Sequence, residues 1–181
     1  MRLTKHLILP EKKFISGQFM LSDGFNIKWD GLDQLIAKFD RMEVDLKKNL
    51  LKEYGKYGLL VEEGAKALAP HDNGDLESSI TTEKASIKGD SVEMAIGSNS
   101  KYALRRHEEP YRKGIFPKYD NGAKFPDFYV DGRGQITRSK QNWRGQVPGR
   151  KYLQNAINAT DNEYHETNER VLHRTLEGDG S

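Results

Sequence analysis

Five histidines, His6, His71, His107, His165 and His173, are the side chains that could move protons near neutral pH. His107 opens a run of three titratable groups, His107-Glu108-Glu109. An acid–base or metal centre needs such groups to converge on one point, and neighbours on a helix point apart. No H-E-x-x-H pair supplies a second ligand on the same face. A hydrolase built on His107 and Glu108 requires both in an open cleft beside another polar group. The competing reading is a buried, hydrogen-bonded His107, with Glu108 capping or pairing with Arg105 or Arg112. Asp72-Asn73-Gly74-Asp75 has the start of a calcium loop, but its glycine is at the wrong offset and the later oxygen ligands are badly spaced. Ser78-Ser79 has no nucleophile elbow around it. Gly132-Arg133-Gly134 is too short to cradle a phosphate, and the chain has no dinucleotide or Walker glycine pattern. Cysteine is absent, which removes thiol chemistry and disulfides. The sequence therefore predicts no catalytic residue, no metal and no cofactor.

What remains is a segment suited to contact. Residues 110–148 place Tyr111, Phe116, Tyr119, Phe125, Phe128, Tyr129 and Trp143 among Arg133, Arg138, Lys140 and Arg144. Arginine and aromatic rings together suit protein–protein contact and, equally, backbone phosphate and stacked bases. Asp120, Asp127 and Asp131 interrupt a phosphate groove. The net charge of the 181-residue chain, +2, does not by itself demand nucleic acid. The rivals to a subunit contact are a nucleic-acid-binding protein that uses residues 129–151 and a flap packed within its own protomer.

These side chains need a scaffold, and the sequence organises it around one stretch. From Trp29-Asp30-Gly31-Leu32-Asp33 to Pro70, apolar residues recur at threes and fours: Leu35, Ile36, Phe39, Met42, Leu46, Leu50, Tyr54, Tyr57, Val61, Ala65 and Leu68. That spacing predicts one amphipathic helix. Asp30 or Gly31 would cap it, and Pro70 would stop it. Unbroken, it would reach roughly 57 Å at 1.5 Å per residue. A compact chain of this length has a radius of gyration of about 16 Å. So either the helix breaks at Gly55, Gly58 or Gly64, or a neighbouring subunit buries part of its stripe.

Around this helix the pattern is α+β: a long N-terminal helix and a C-terminal helix packed on a small, mainly antiparallel sheet. Residues 1–28 read as an N-terminal arm or edge strand, with Leu7-Ile8-Leu9 and Phe14-Ile15 as short strands. Residues 29–176 read as one domain with a 110–148 loop or hairpin insertion, and 177–181 as a flexible tail. Leu76, Ser78 and Ile80 begin an alternating strand that runs to Ile87. Lys88-Gly89-Asp90 turns it, and Val92, Met94 and Ile96 return on one face. Tyr102–Glu109 is a short helix or an extended crossing. A second hairpin is expected from Phe128-Tyr129-Val130 through Asp131-Gly132-Arg133-Gly134 to Gln135-Ile136-Thr137. Tyr152, Leu153, Ala156, Ile157, Thr160, Tyr164, Thr167, Val171 and Leu172 trace one last helix, to about Leu176. An apolar fraction of 35% against 31% charged implies a modest core, and no run approaches the roughly 20 apolar residues of a membrane span.

Taken in order, Trp29-Asp30-Gly31-Leu32-Asp33-x-Leu35, Ala65-Lys66-x-Leu68-Ala69-Pro70, Asn73-Gly74-x-Leu76, Ser78-Ser79-Ile80, Gly97-x-x-x-x-Tyr102-Ala103, His107-Glu108 and Gly149-Arg150-Lys151-Tyr152-Leu153-x-x-Ala156 form a series. The series resembles the head–tail joining, or tail-completion, proteins of tailed bacteriophages, of the kind called HK97 gene-10-like. The resemblance covers about residues 28–175. It departs at Asn73, where relatives often carry Thr, and in the longer 110–148 segment. It implies a non-enzymatic virion part that forms a homo-oligomeric ring at the neck or the head-proximal end of the tail. The partners implied are other neck, connector or tail proteins, with DNA passing non-specifically through the lumen and no membrane. Assembly in the host cytoplasm goes with this. The candidate subunit contacts are Trp29, Tyr54, Tyr57, Phe116, Phe128, Tyr129, Arg138, Trp143 and Arg144.

Overall fold

The structure is a computed structural model, and it describes residues 2–4, 7–8 and 32–177, with side chains from residue 34 onward. Trp29, the caps Asp30 and Gly31, the Phe14-Ile15 segment and the extreme C-terminus lie outside the described residues. One helix, α1 (Leu32–Leu68), runs unbroken for 37 residues and ends just before Pro70. At 1.5 Å per residue it is about 55 Å long. Its glycines do not break it. Gly58 and Gly64 are instead places where another side chain reaches the helix backbone. A Cβ on Gly58 would stand 2.2 Å from the Met94 sulfur, and one on Gly64 would stand 2.4 Å from the Trp143 ring.

The strands form two small three-stranded sheets. In one, β6 (Ala95–Ser98) lies between β1 (Arg2–Thr4) and β3 (Ile80–Thr82). In the other, β5 (Ser91–Glu93) lies between β2 (Leu7–Ile8) and β4 (Ser86–Lys88). All pairings are antiparallel, with Leu3 opposite Ile96 and Leu7 opposite Val92. Residues 2–4 and 7–8 are thus edge strands of these sheets. Just beyond the last β3–β6 pair, the Glu83 amide donates to the Ala95 carbonyl at 2.8 Å. Val92, Met94 and Ile96 point into the core, as their alternation predicts. The segment before β3 is corrected. Residues Asp75–Ser79 form a short helix, α2, not the start of a strand. Gly74 at φ 89° turns the chain into it, and the Ser79 hydroxyl bonds back to the Leu76 carbonyl.

The predicted single C-terminal helix is two: α5 (Tyr152–Ala159) and α6 (Asp161–Glu177). They part at Thr160, whose backbone leaves helical geometry and whose hydroxyl bonds to the Ala156 and Ile157 carbonyls at 3.0 and 3.1 Å. The side chain thereby replaces part of the helical ladder at the break. Both helices lie along α1. Leu50, Tyr54, Tyr57, Val61, Ala65 and Leu68 of α1 pack with Tyr152, Leu153, Ala156, Val171 and the sheets' Ile80, Val92 and Ile96. The α1 spacing of four, three, four, four and three is one helical face, and it is the core.

Residues 102–149 are ordered. Tyr102–Glu109 resolves as a helix, α3 (Ala103–Glu108). A long hairpin then joins β7 (Ile115–Asp120) and β8 (Ala123–Val130) through Asn121-Gly122, at φ 47° and 82°. Two successive positive φ values are what a tight two-residue hairpin loop requires. The expected second hairpin exists only as a stub. Asp131 and Gly132 turn the chain into β9 (Arg133–Gly134), and Gln135–Ser139 is a helix, α4, in place of the expected returning strand.

Candidate intersubunit surfaces

The residues singled out for contact divide by where they fall. Tyr54 and Tyr57 are 2% and 5% exposed, inside the α1–α6 seam. Tyr54 donates to Asn168 at 2.8 Å, and the Tyr57 and Thr160 hydroxyls lie 3.3 Å apart. Burial beside Tyr164 pushes the Tyr54 hydroxyl well above the usual phenol range. Both rings belong to the protomer's own core and are not available at its surface. Trp143 fills the notch at Gly64, and the Arg144 guanidinium stands 5.1 Å from the Trp143 ring while pairing with Glu163 of α6. Arg138 donates to the carbonyls of Asp127 and Phe128 and braces the hairpin base. Phe128 and Tyr129 are half-buried and meet edge to face at 4.8 Å. Phe116, Arg138 and Arg144 are the exposed members among the described residues of the set.

Sequence reasoning missed how firmly residues 137–151 are tied down. The Lys140 ammonium donates to the carbonyls of Lys66 and Ala69 and to Glu77. A cation on these last carbonyls completes the negative end of α1. The Thr137 hydroxyl bonds to both the amide and the carbonyl of His71. Gly149 donates to Leu68, Lys151 donates to the His107 carbonyl, and the Arg150 amide donates to the Tyr111 hydroxyl. Gly149, at φ 143°, gives the Tyr111 hydroxyl its room: a Cβ there would sit 1.9 Å from that oxygen.

His107 lies at the centre of this junction. It is 1% exposed, its ring meets Tyr152 edge-on at 5.1 Å, and Nδ1 is 2.8 Å from Glu108. Burial pushes its pKa below the ordinary 6.5 against the opposing pull of Glu108. The hydrogen bond from Lys151, then that from His107, holds Glu108 below its ordinary value. An enclosed imidazole fits the structural reading and lacks the open cleft that proton transfer to a substrate requires. Among the described residues, no group of three or more His, Asp and Glu side chains is placed to hold a metal. No described helix is long and apolar enough to cross a membrane.

Three surfaces remain for partners. The first is the N-terminal part of α1. Helix α6 runs back along α1 until Thr175 meets Asn49, at 3.3 Å. Residues 32–48 therefore extend about 25 Å past that point. Along this extension the apolar stripe continues, with Leu35 48%, Ile36 49% and Phe39 59% exposed. The second is the β7–β8 hairpin, which exposes Ile115, Phe116, Tyr119 and Phe125. Against it lies a cleft of 860 Å³ bordered by Tyr102, Arg105, Arg106 and Arg112. The third is electrostatic. Residues 101–151 hold 13 Lys and Arg against 5 Asp and Glu, while 152–181 hold 2 against 6. The near-zero total charge conceals a basic middle and an acidic end.

Residues 33–104 match the family described as "Bacteriophage HK97-gp10, putative tail-component". The stretch runs from the second residue of α1 through the sheets to the second residue of α3. Over this stretch, less than half of the 181 residues, the chain is similar to that family of phage tail components. The β7–β8 hairpin, the 140–151 junction and the last two helices lie beyond it. No curated protein and no solved structure matches the chain.

Proposed function

We propose that this protein is a structural component of a bacteriophage neck or head-proximal tail, where copies form or complete the ring at the head–tail junction. The observation that carries the reading is the apolar stripe of α1, buried from Leu50 to Leu68 but exposed at Leu35, Ile36 and Phe39. Apolar surface left on a protruding rod invites cover, and about 25 cal/mol is gained per Å² buried. The tail-component match over the same helix supports the class. A ring arises when one face of a copy binds a different face of the next and the rotation closes.

In this role the protein works in the virion, beside other neck, connector or tail proteins. The basic surface of residues 101–151 suits a lumen through which DNA passes without sequence preference, since phosphate contacts carry no sequence information. The test is the mass of the native chain in solution followed by particle averaging. A discrete closed ring supports the reading, and a chain that stays monomeric at every concentration overturns it. Tight duplex DNA binding that persists at roughly 0.1 M salt would favour a nucleic-acid-binding protein instead.

A further inference from the structure

At the 140–151 junction, a pocket of 440 Å³ opens beside Tyr111 and the start of α5. Arg133, Arg150 and Lys151 line it. Lys151 is committed to Glu108. Arg133 and Arg150 have no side-chain partner among the described residues, and the Nε of Arg150 is a buried donor with nothing to bond. Asp131 also lines the pocket without closing an ion pair to either arginine. A buried donor left unmade is costly. Two arginines that line one pocket supply the N–H donors with which guanidinium groups bind a carboxylate.

The opposite end of the chain holds a matching group. Along α6, Arg170 and Arg174 turn inward to Glu53, at 3.5 and 2.7 Å. Their charge is spent inside the protomer. On the outer face, Glu169 is exposed and has no partner among the described residues. Leu172 and Leu176, three and seven positions further on, are exposed on the same face. Helix α6 thus presents a free carboxylate at the head of a short apolar ridge.

We propose that the Arg133–Arg150 pocket of one copy receives Glu169 of the next, with Leu172 and Leu176 sealing the rim against water. This contact joins two different faces, so each added copy leaves one pocket and one ridge free, as a ring requires. It rests on the ring reading and specifies one of its joints. A carboxylate is favoured over a nucleic-acid phosphate because the acceptor is a pocket, Asp131 shares its wall, and the acidic counterpart lies on this same chain.

The experiment uses the full chain and three variants: Glu169→Arg, Arg150→Glu, and both together. Glu169 lies on an exposed helix face, so its replacement leaves the fold intact, and circular dichroism checks this for all three. Sedimentation across a concentration series reads assembly. The expected result is that Glu169→Arg raises the assembly midpoint about thirtyfold or more, as loss of a buried cross-interface charge pair does. The double variant then recovers most of it, because the pair is rebuilt with its charges exchanged. If the native chain assembles and Glu169→Arg assembles identically, this contact is overturned while the ring reading stands. If the native chain does not assemble, both fall. If Arg150→Glu loses duplex DNA affinity while Glu169→Arg assembles normally, the pocket holds phosphate and the proposal is overturned.

Discussion

Three glycines on α1 set up a perturbation in which the sign of the effect is fixed by what each one faces. A Cβ on Gly55 would meet nothing within 4 Å. Gly55→Ala should therefore gain the helix propensity difference and nothing else, about 0.8–1.0 kcal/mol at most. On Gly64 the same Cβ would stand 2.4 Å from the Trp143 ring, inside any real contact distance. The propensity gain is identical, but the indole must be pushed out of its notch, and overpacking costs about 1–3 kcal/mol. The balance for Gly64→Ala is a loss of about 0–2 kcal/mol. For a chain of this size 1 kcal/mol moves Tm by about 2–4 °C, so the two variants should differ by several degrees in opposite directions. Trp143→Ala alone empties the notch and costs roughly 2 kcal/mol for a half-buried aromatic ring. In that background the obstacle to Gly64→Ala is gone, and the same substitution should become stabilising. Urea unfolding of the four members of the cycle measures the coupling. If Gly64→Ala stabilises as much as Gly55→Ala with Trp143 intact, the ring does not sit in the Gly64 notch. Trp143 would then not hold its segment to α1, and it would return to the list of surface contacts.

Glu53 is 2% exposed and takes Lys56, Arg174 and Arg170 within 2.8, 2.7 and 3.5 Å. Burial pushes its carboxyl up, but the Lys56 hydrogen bond and the three cations outweigh that and hold it below 4.5. Glu53→Gln should cost about 1–3 kcal/mol in urea unfolding, less than a fully enclosed pair because the cations keep solvent contact. Two acid-linked losses follow from the pKa directions. His107 titrates below 6.5 in the fold, so as pH falls below 6.5 the unfolded chain takes the proton first and stability declines. Glu53 and Glu62 titrate below 4.5, so their stabilisation is present above that value and drains as pH falls through their folded pKa values. A stability–pH curve should therefore show both declines, and His107→Gln should erase the first alone. Replacing Leu35, Ile36 and Phe39 together by Ser should leave the unfolding midpoint of the protomer within about 1 kcal/mol, since the three are half exposed already, yet weaken assembly by about 3 kcal/mol or more. A large fall in protomer stability would show that the strip is covered from within.

The long helix, its end at Pro70 and the core face from Leu50 to Leu68 were legible because a 3.6-residue period sustained over ten turns has no competing reading. The Val92–Met94–Ile96 face was legible for the same reason at period two. The glycines of α1 were misread because sequence shows propensity but not the side chain that arrives from elsewhere; Met94 and Trp143 come from 36 and 79 positions away. Two missed features had signals. Asn121-Gly122 is a strong tight-turn pair, yet Pro117 and Pro126 obscured the strands around it. Thr160-x-x-Glu163 has the spacing of a helix start, but Thr160 also continued the periodic stripe and the stripe was read through it. Which side chains of the 110–148 segment face outward was not legible. Aromatic and arginine content marked residues 110–148, but composition cannot tell a ring that faces outward from one that braces its own hairpin. That Arg133 and Arg150 have no side-chain partner among the described residues emerges only when the folded chain shows which cations have found carboxylates.

The most direct measurement is sedimentation of the full chain, native and with Leu35, Ile36 and Phe39 replaced by Ser, over the same concentrations. The account predicts one discrete oligomer for the native chain and a shift toward the 20.7 kDa protomer for the variant, with both equally folded. A native chain that sediments as the protomer throughout, or a variant that assembles as readily as the native chain, contradicts it.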